Sequence, residues 1–242
     1  MKQKYAFILA AGQGKRLRPY TETIPKPLVP VNGRPIIDYT IEKLKAAGIT
    51  HITINLHYLG DRIKKYYKNT KEPKLTFSVE KEVLDTGGGV KHAIETIQEE
   101  SFFLINGDAL WTDGPDQTAL ERLSDMWNPQ TMDILLLLQP VANMQLTKGI
   151  GDYDLLPNGQ AIRSKGKNGK YMFAGVRISK TAIFEQIPEE TFSYLQLMDK
   201  AQTEGKLYGL IHDGEWHHIS TPEDLEQVNH AIANTPYRAK AV

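Results

Sequence analysis

The sequence of 242 residues contains no cysteine. This absence excludes disulfides, thiolate nucleophiles and cysteine-ligated zinc sites, and it is typical of proteins in a reducing compartment. Long apolar runs are also lacking, since no stretch approaches the roughly 20 apolar residues that a membrane-spanning helix requires. The apolar run of residues 5–11 is followed by charge, whereas a signal peptide carries its charge before the apolar segment. We therefore expect a cytoplasmic protein that does not associate with a membrane.

The chain has no excess of either charge, because its 29 basic residues balance its 29 acidic residues. A balanced charge gives no support for nucleic-acid binding or for attachment to an anionic membrane. If the protein binds anions, the site must come from a local concentration of basic residues.

Strand-like apolar runs alternate with segments of helical periodicity in the first part of the chain. The predicted strands cover residues 5–11, 51–56, 75–80 and 101–108, and the predicted helices cover residues 35–48, 59–69 and 89–98. Such alternation predicts βαβ units, and therefore a Rossmann-like α/β fold with a mixed, mostly parallel sheet flanked by helices.

The pattern loosens after Asp108. It predicts a helix over residues 116–126, strands over 132–139 and 171–179, and loops with short strands over 148–170. A last helix is expected over residues 222–233, because Thr221 before Pro-Glu is a favourable helix start. No repeat or linker divides the chain, so we expect one domain over residues 1–242, with residues 235–242 as a flexible tail.

Residues 9–31, LAAGQGKRLRPYTETIPKPLVPV, concentrate glycine, basic residues and proline behind the first strand. Leu17 occupies the third glycine position of a dinucleotide fingerprint, and the P-loop pattern is also absent. Two glycines still allow backbone N–H groups to approach phosphates. Arg16 offers a planar fork for phosphate oxygens, and the prolines beside Lys26 restrict its backbone. From the residues alone, the segment can be interpreted either as a phosphate-binding site or as a solvated basic loop.

The same segment resembles the signature of sugar-1-phosphate nucleotidyltransferases. Every specified position of L-A-A-G-x-G-x-R-[LM]-x-P-x-T and of P-K-P-[LM]-x-P-V is present. Farther along, residues 106–108 and 216–221 stand where the family has N-G-D and W-x-D-x-G-T. Within the family, residues 84–89, 151–153 and 173–176 resemble the motifs of the N-acetylmuramate-1-phosphate uridylyltransferase type. Short mannose- and heptose-phosphate guanylyltransferase-like proteins share much of this pattern.

The resemblance implies a GT-A-like nucleotidyltransferase fold without a C-terminal β-helix domain. It also implies that a sugar-1-phosphate oxygen attacks the α-phosphorus of an NTP, giving an NDP-sugar and pyrophosphate. The second pKa of a phosphate monoester is about 6, so this nucleophile needs no general base. The lack of a Ser-His-Asp or Cys-His constellation agrees with such chemistry.

The pair of substrates implied by the closest type is UTP and N-acetylmuramate-1-phosphate, used in the recycling of cell-wall sugars. Three alternatives stay open. The first is a mannose- or heptose-1-phosphate guanylyltransferase, and the second is an enzyme that uses CTP and an alcohol phosphate. The third is a regulatory protein that binds nucleotide but has lost turnover. Nothing in the sequence marks an oligomeric interface.

Residue roles follow from the family positions. Arg16 is expected to hold the triphosphate and the leaving pyrophosphate, and Lys26 is expected to contact phosphate at the reacting centre. The glycines of residues 87–89 also fit a purely structural turn before a helix. The implied nucleotide-binding residues are Ala10, Ala11, Gly12, Gln13, Gly14, Lys15, Glu82, Gly87 and Gly88. The implied sugar-binding residues are Asn106, Asp152 and Gly175.

Asp108 is the expected ligand of Mg²⁺, with Mn²⁺ as an alternative, because these ions favour carboxylate and phosphate oxygens. Where the family has a second aspartate and a glycine, this chain has His218 and Ser220. His218 either ligates the metal, contacts phosphate or a metal-bound water, or leaves the metal to Asp108 and substrate oxygens. We favour the last two readings. In a strand, His217 would face the opposite side and lie at the surface.

Overall fold

The computed structural model describes residues 3–144, 150–166, 168–185, 187–188 and 190–234. Residues 233 and 234 are described by their backbone alone. The expected tail of residues 235–242 lies outside these ranges. The strands are β1 Tyr5–Leu9, β2 Pro30–Val31, β3 Arg34–Pro35, β4 His51–Leu56, β5 Lys74–Val79, β6 Ser101–Asn106, β7 Leu110–Trp111, β8 Ile134–Pro140, β9 Tyr153–Leu155, β10 Ala161–Arg163, β11 Tyr171–Lys180, β12 Leu207–Ile211 and β13 Trp216–His217. The helices are α1 Ile36–Ala46, α2 Gly60–Tyr66, α3 Asp85–His92, α4 Ala119–Met126, α5 Leu195–Thr203 and α6 Pro222–Asn234.

Nine of these strands form one mixed sheet. Its main path runs in the order β10-β9-β11-β6-β1-β4-β5, and β8 pairs with β11 and β12. The pairs of β1 with β4 and β6, of β4 with β5 and of β8 with β12 are parallel. Strand β11 runs antiparallel to β6 and β8. This architecture confirms the predicted mostly parallel α/β sheet.

The strand order determines where a ligand site is expected. From β1 the chain adds β4 and β5 on one side, and it then returns to place β6 on the other side of β1. In open α/β sheets, a crevice for ligands lies outside the carboxyl ends of the strands where the strand order reverses. The basic segment after β1 and the Asn-Gly-Asp motif after β6 both lie at this switch point.

Buried apolar residues lie on both faces of the sheet. Helices α1 and α4 pack on one face, and α3 and α5 pack on the other. In α1, Ile37, Ile41 and Leu44 are buried at the predicted three-to-four spacing. The helix ends before Gly48, whose φ of 78° suits glycine.

A third cluster supports the basic segment. Leu17 and Val29 from this segment pack with Leu225, Val228 and Ile232 from α6. The last helix therefore holds the phosphate-binding candidate segment against the body of the protein. At its start, Asp224 Oδ2 accepts hydrogen bonds from the backbone N–H groups of residues 220 and 221, as a capped helix start requires.

Some boundaries differ from the predictions. The helix expected over residues 116–126 begins only at Ala119, because Thr118 and Glu121 form a capping box there. The helix expected over 89–98 begins instead at Asp85 and ends at His92, so residues 87–89 lie inside it and not in a preceding turn. Helix α5 and strand β12 were not predicted. Across the described ranges, no helix is long and apolar enough to cross a membrane.

Two buried histidines should make the stability of the folded protein fall at acidic pH. His212 and His217 are 1% and 4% exposed, and burial lowers the pKa of both imidazoles. Below about pH 6.5 the unfolded chain binds protons at these residues while the folded protein keeps them neutral. We therefore expect the free energy of unfolding to fall from about pH 6.5 down to the lowered folded-state pKa values. Denaturant titrations at a series of pH values measure this slope.

The same titrations on a variant test the cause. His212→Asn should make the pH dependence shallower, because it removes one group that protonates on unfolding. Equal slopes in the wild-type protein and in His212→Asn would contradict the assignment of acid sensitivity to buried histidine.

Candidate active site

A cleft of about 330 Å³ lies at the carboxyl ends of β1 and β6. The segment after β1 contributes backbone and small side chains, and the turn after β6 contributes Asn106, Gly107 and Asp108. The lining residues are Leu9, Ala10, Ala11, Gly12, Gly14, Lys26, Pro27, Asn55, Glu80, Val83, Asp85, Thr86, Asn106, Gly107 and Asp108. The structure thus brings together the two motifs that the sequence singled out.

A buried chain of hydrogen bonds holds the backbone on the β1 side. The N–H of Ala10 donates to Asn55 Oδ1 at 2.7 Å, and Asn55 Nδ2 donates to Glu80 Oε1 at 2.6 Å. The other oxygen of Glu80 accepts the N–H of Leu84 at 3.2 Å. A Cβ placed on Gly12 would meet no atom within 4 Å, so the backbone there faces open space. A nucleotide can therefore approach this main chain closely.

The loop after β1 brings Lys26 back into the cleft. Gly14 adopts a φ of 61°, and a Cβ on it would lie 3.0 Å from Cβ of Lys26 and from Cγ2 of Thr21. Thr21 Oγ1 donates to the carbonyl of Gly14 at 2.9 Å, which fixes this turn. The Lys26 side chain is only 13% exposed. Glycine at position 14 is needed both for its backbone conformation and for the close approach of Lys26.

Lys26 and Asp108 form an ion pair across the cleft. Lys26 Nζ lies 2.5 Å from Asp108 Oδ2, and the carboxylate is 37% exposed. The turn that presents Asp108 is fixed by the N–H of Gly107, which donates to the Leu9 carbonyl at 2.8 Å. A Cβ on Gly107 would lie 2.6 Å from that carbonyl oxygen. The glycine of Asn-Gly-Asp is therefore required for the contact between β1 and β6.

A second cleft of about 280 Å³ adjoins the first, and Thr86 and Asn106 line both. Its wall carries aromatic rings and three charged side chains. The other lining residues are Asp152, Tyr153, Arg163, Phe173, Arg177, Ser193, Tyr194, Leu195 and Met198. Two connected clefts that meet at the end of β6 provide room for two substrates.

Of the predicted sugar-binding residues, Asn106 and Asp152 lie in the second cleft, and Gly175 lies beside it. Gly175, with a φ of 76°, occupies an irregularity of β11 between Phe173 and Arg177. A Cβ on Gly175 would lie 3.1 Å from Asn106 Nδ2, so the glycine allows the strand to approach Asn106 closely. Its contact with any sugar would thus be indirect.

The glycines of α3 do not line either cleft. The N–H groups of Gly87 and Gly88 both donate to the Phe192 carbonyl, at 2.9 Å and 3.0 Å, so they are already occupied. A Cβ on Gly88 would lie 2.1 Å from the carbonyl oxygen of Glu190, and one on Gly89 would lie 2.5 Å from Glu80 Oε1. These glycines therefore allow close packing around the clefts, which supports the structural reading of the triplet.

Four other predicted nucleotide or phosphate residues lie outside the lining of the first cleft. Lys15 and Arg16 are exposed on a 3₁₀ turn, Gln13 is half-buried just before it, and Glu82 is exposed beyond β5. The acidic residue that lines the cleft near the end of β5 is Glu80, and not the predicted Glu82. Arg16 remains close enough to His218 for its charge to lower the pKa of that imidazole.

His218 is brought towards Asp108 by the pairing of two short strands. Strand β13 runs antiparallel to β7, which follows the Asn-Gly-Asp turn. Burial is the main cause that lowers the pKa of His218, the nearby Asp108 carboxylate opposes this effect, and Lys26 adds to it. Burial thus favours the neutral form of the imidazole. The same pairing buries His217, so the expectation of a surface histidine is wrong.

The donor set fits a hard divalent ion that is shared with a substrate. Within the described part of the chain, no three His, Asp or Glu side chains form a metal-binding group. A single carboxylate, Asp108, is sufficient for Mg²⁺ when phosphate oxygens and water supply the remaining positions. The arrangement does not fit an ion held by the protein alone.

Sequence reasoning missed Asn55, Glu80 and Arg177. Asn55 interrupts the apolar run of β4, and Arg177 interrupts that of β11, so each is a polar residue in a buried strand. A buried polar residue of this kind must find a partner, and that requirement is the signal that the sequence contained. Glu80 follows directly after β5, at the same sheet edge.

Comparisons with known proteins agree with this geometry. The family model described as "Nucleotidyl transferase" matches residues 5–144. The chain is 31% identical to the N-acetylmuramate alpha-1-phosphate uridylyltransferase of Caulobacter vibrioides, over 91% of this chain and 93% of the relative. It is 30% identical to the D-glycero-alpha-D-manno-heptose 1-phosphate guanylyltransferase of Aneurinibacillus thermoaerophilus, over 92% and 95%.

A solved structure gives the same result for the fold. The crystal structure of HddC from Yersinia pseudotuberculosis complexed with GMP-PN superimposes with a TM-score of 0.76 at 25% identity, covering 95% of this chain and 99% of that one. The chain therefore belongs to the nucleotidyl transferase family and is a sugar-1-phosphate nucleotidyltransferase.

Proposed function

We propose that the enzyme transfers a uridylyl group from UTP to N-acetylmuramate-1-phosphate, as a step in the recycling of cell-wall sugars. The observation that carries this proposal is the meeting of the two clefts at Asn106 and Thr86, beside the Lys26–Asp108 pair. The nucleotide would occupy the cleft lined by Ala10 to Gly12, and the sugar would occupy the cleft lined by Asp152. The choice of substrates is supported by the similarity to uridylyltransferases of this type, over most of the chain.

The reaction joins two anions, so fixed positive charge is its main requirement. An oxygen of the sugar phosphate forms a bond to the α-phosphorus, and the bond from that phosphorus to the bridging oxygen breaks, releasing pyrophosphate. Lys26 would donate to the oxygens of the reacting phosphate, and Arg16 would bind the pyrophosphate portion. Asn106 and Asp152 would hold the sugar hydroxyl or acyl groups, with Gly175 placing Asn106.

A divalent ion would complete the site. Asp108 would hold it together with the substrate phosphates, and His218 would contact phosphate or a water on the ion. When bound, Mg²⁺ or Mn²⁺ neutralises charge on the phosphate oxygens. In the free protein Lys26 balances the Asp108 carboxylate, and with substrates present it would be free to bind phosphate. Metal affinity should therefore be weak without nucleotide and stronger with it.

A substrate matrix tests the proposal. Pyrophosphate release would be measured for the 1-phosphates of N-acetylmuramate, N-acetylglucosamine, mannose and heptose with UTP, GTP or CTP, in Mg²⁺, in Mn²⁺ and with the metal chelated. We expect the highest kcat/KM for UTP with N-acetylmuramate-1-phosphate and no turnover after chelation. Preferred guanylyl transfer to mannose or heptose phosphate would contradict the substrate assignment. Nucleotide binding by calorimetry without turnover for any pair would instead indicate a regulatory protein.

A further inference from the structure

The second cleft contains a buried cation that the chemistry at phosphorus does not use. Arg177 is 3% exposed and lines this cleft. Its guanidinium carbon lies 4.1 Å from the ring centroid of Tyr194 and 5.1 Å from that of Phe173. The two aromatic faces hold the guanidinium plane while leaving its edge for hydrogen bonds.

In the part of the chain that the structure describes, the charge of Arg177 is not matched by an acidic partner. Among the residues that the structure describes, no carboxylate lies within ion-pair distance of its guanidinium, and its Nε has no hydrogen-bond partner. Burial lowers the pKa of Arg177 to about 10, so it remains cationic at neutral pH. A charge this deeply buried is costly unless a partner compensates it.

The other charged groups of the cleft have partners of their own. Arg163 Nη1 lies 2.8 Å from a carboxylate oxygen of Asp199. Asp152 Oδ2 accepts the N–H of Phe173 at 3.3 Å. Among the described residues, the uncompensated charge on this wall therefore belongs to Arg177, and a bound molecule can supply its negative partner.

That partner is not the reacting phosphate. Lys26 and Asp108 line the first cleft only, and Arg177 lines the second only. A sugar-1-phosphate with its phosphate beside Lys26 would pass Asn106 and direct its ring substituents into the second cleft. The group that meets Arg177 is thus a substituent of the sugar. A planar guanidinium edge suits a carboxylate, which accepts two parallel N–H bonds.

We propose that Arg177 is a specificity-determining residue that selects a sugar-1-phosphate bearing a carboxylate substituent. The inference rests on the proposed function, since it places the sugar of that reaction in the second cleft. A sugar phosphate without this carboxylate would leave the buried cation unpaired and would be used less efficiently.

The carboxylate of the substrate can be tested without changing the protein. The test compares kcat/KM with UTP for N-acetylmuramate-1-phosphate, for its methyl ester and for N-acetylglucosamine-1-phosphate, which lacks the lactyl ether. We expect the acid to be preferred over the ester by roughly tenfold to a hundredfold, as for one buried charge-assisted contact. Equal use of acid and ester by the wild-type enzyme would overturn the inference and leave the nucleotidyltransferase assignment intact.

Variants identify the residue responsible. Arg177→Gln should remove the preference for acid over ester, mostly by lowering kcat/KM for the acid. Arg177→Lys, which keeps a positive charge, should retain part of this preference. Arg163→Gln is the matched control, because this arginine lines the same cleft but is neutralised by Asp199. The acid-to-ester ratio should survive that change. A preference that survives Arg177→Gln would overturn the inference.

Two further outcomes remain decisive. If Arg177→Gln does not fold, the wild-type comparison and the Arg177→Lys variant decide the question. If no sugar phosphate is turned over, the proposed function fails. Calorimetric binding of the acid and its ester in the presence of UTP then tests Arg177 alone, and equal affinities would overturn the inference.

Discussion

Replacing Lys26 with methionine is expected to lower kcat about a hundredfold, with much smaller effects on folding. Lys26 lines the first cleft and is held by the turn at Gly14. Loss of one preorganised charge in such a site typically costs about 3 kcal/mol of transition-state stabilisation. Methionine keeps the apolar stem of lysine, so the packing is largely retained. Steady-state kinetics with both substrates at saturation measures the effect.

Lys43→Met provides a closely matched control. The Lys43 side chain is 14% exposed against 13% for Lys26, and it too pairs with an aspartate, Asp113. It packs over the ring of Trp111 and does not line the first cleft. We expect Lys43→Met to lower stability as modestly as Lys26→Met does, but to keep kcat. Equal losses of kcat in both variants would show that loss of a half-buried ion pair, and not the position of Lys26, causes the defect.

Much of the fold follows from local periodicity. Strand β1 is a continuous apolar run, β4 and β6 are mainly apolar, and α1 has a clear three-to-four spacing with a glycine stop. Because parallel strands present their carboxyl ends at one sheet edge, residues after β1 and after β6 must lie near each other. The proximity of the basic segment to Asn-Gly-Asp was therefore predictable from the order of elements.

The rest depends on contacts between distant parts of the chain. Residue 89 lies at the Glu80–Asn55 pair, and the first turn of α3 is capped by the Phe192 carbonyl. His217 lies in the two-residue strand β13 and is buried because this strand pairs with β7. These partners are distant in the sequence, so neither the neighbouring residues nor the spacing of apolar residues can predict them. The sequence consequently identified the glycine triplet as important without indicating which atoms it approaches.

Gly89→Ala is expected to weaken nucleotide binding tenfold or more and to reduce stability. The added Cβ would lie 2.5 Å from Glu80 Oε1 and 2.6 Å from Asn55 Nδ2, so this pair must move. Its movement would break the bond from Asn55 to the N–H of Ala10, which fixes the backbone of the first cleft, the proposed nucleotide site. Disturbing such a buried network costs about 1–3 kcal/mol, partly offset by the roughly 1 kcal/mol by which alanine favours a helix.

Gly88→Ala separates this effect from general damage to α3. It brings the same gain in helix propensity, but its Cβ would lie 2.1 Å from the backbone oxygen of Glu190, away from the Glu80–Asn55 pair. Stability should therefore fall steeply, while the folded fraction keeps most of its affinity for UTP. Calorimetric titration of UTP and denaturant unfolding, run on both variants, distinguish the two effects. If Gly88→Ala weakens UTP binding as strongly as Gly89→Ala, general damage to α3, and not movement of the Glu80–Asn55 pair, causes the loss.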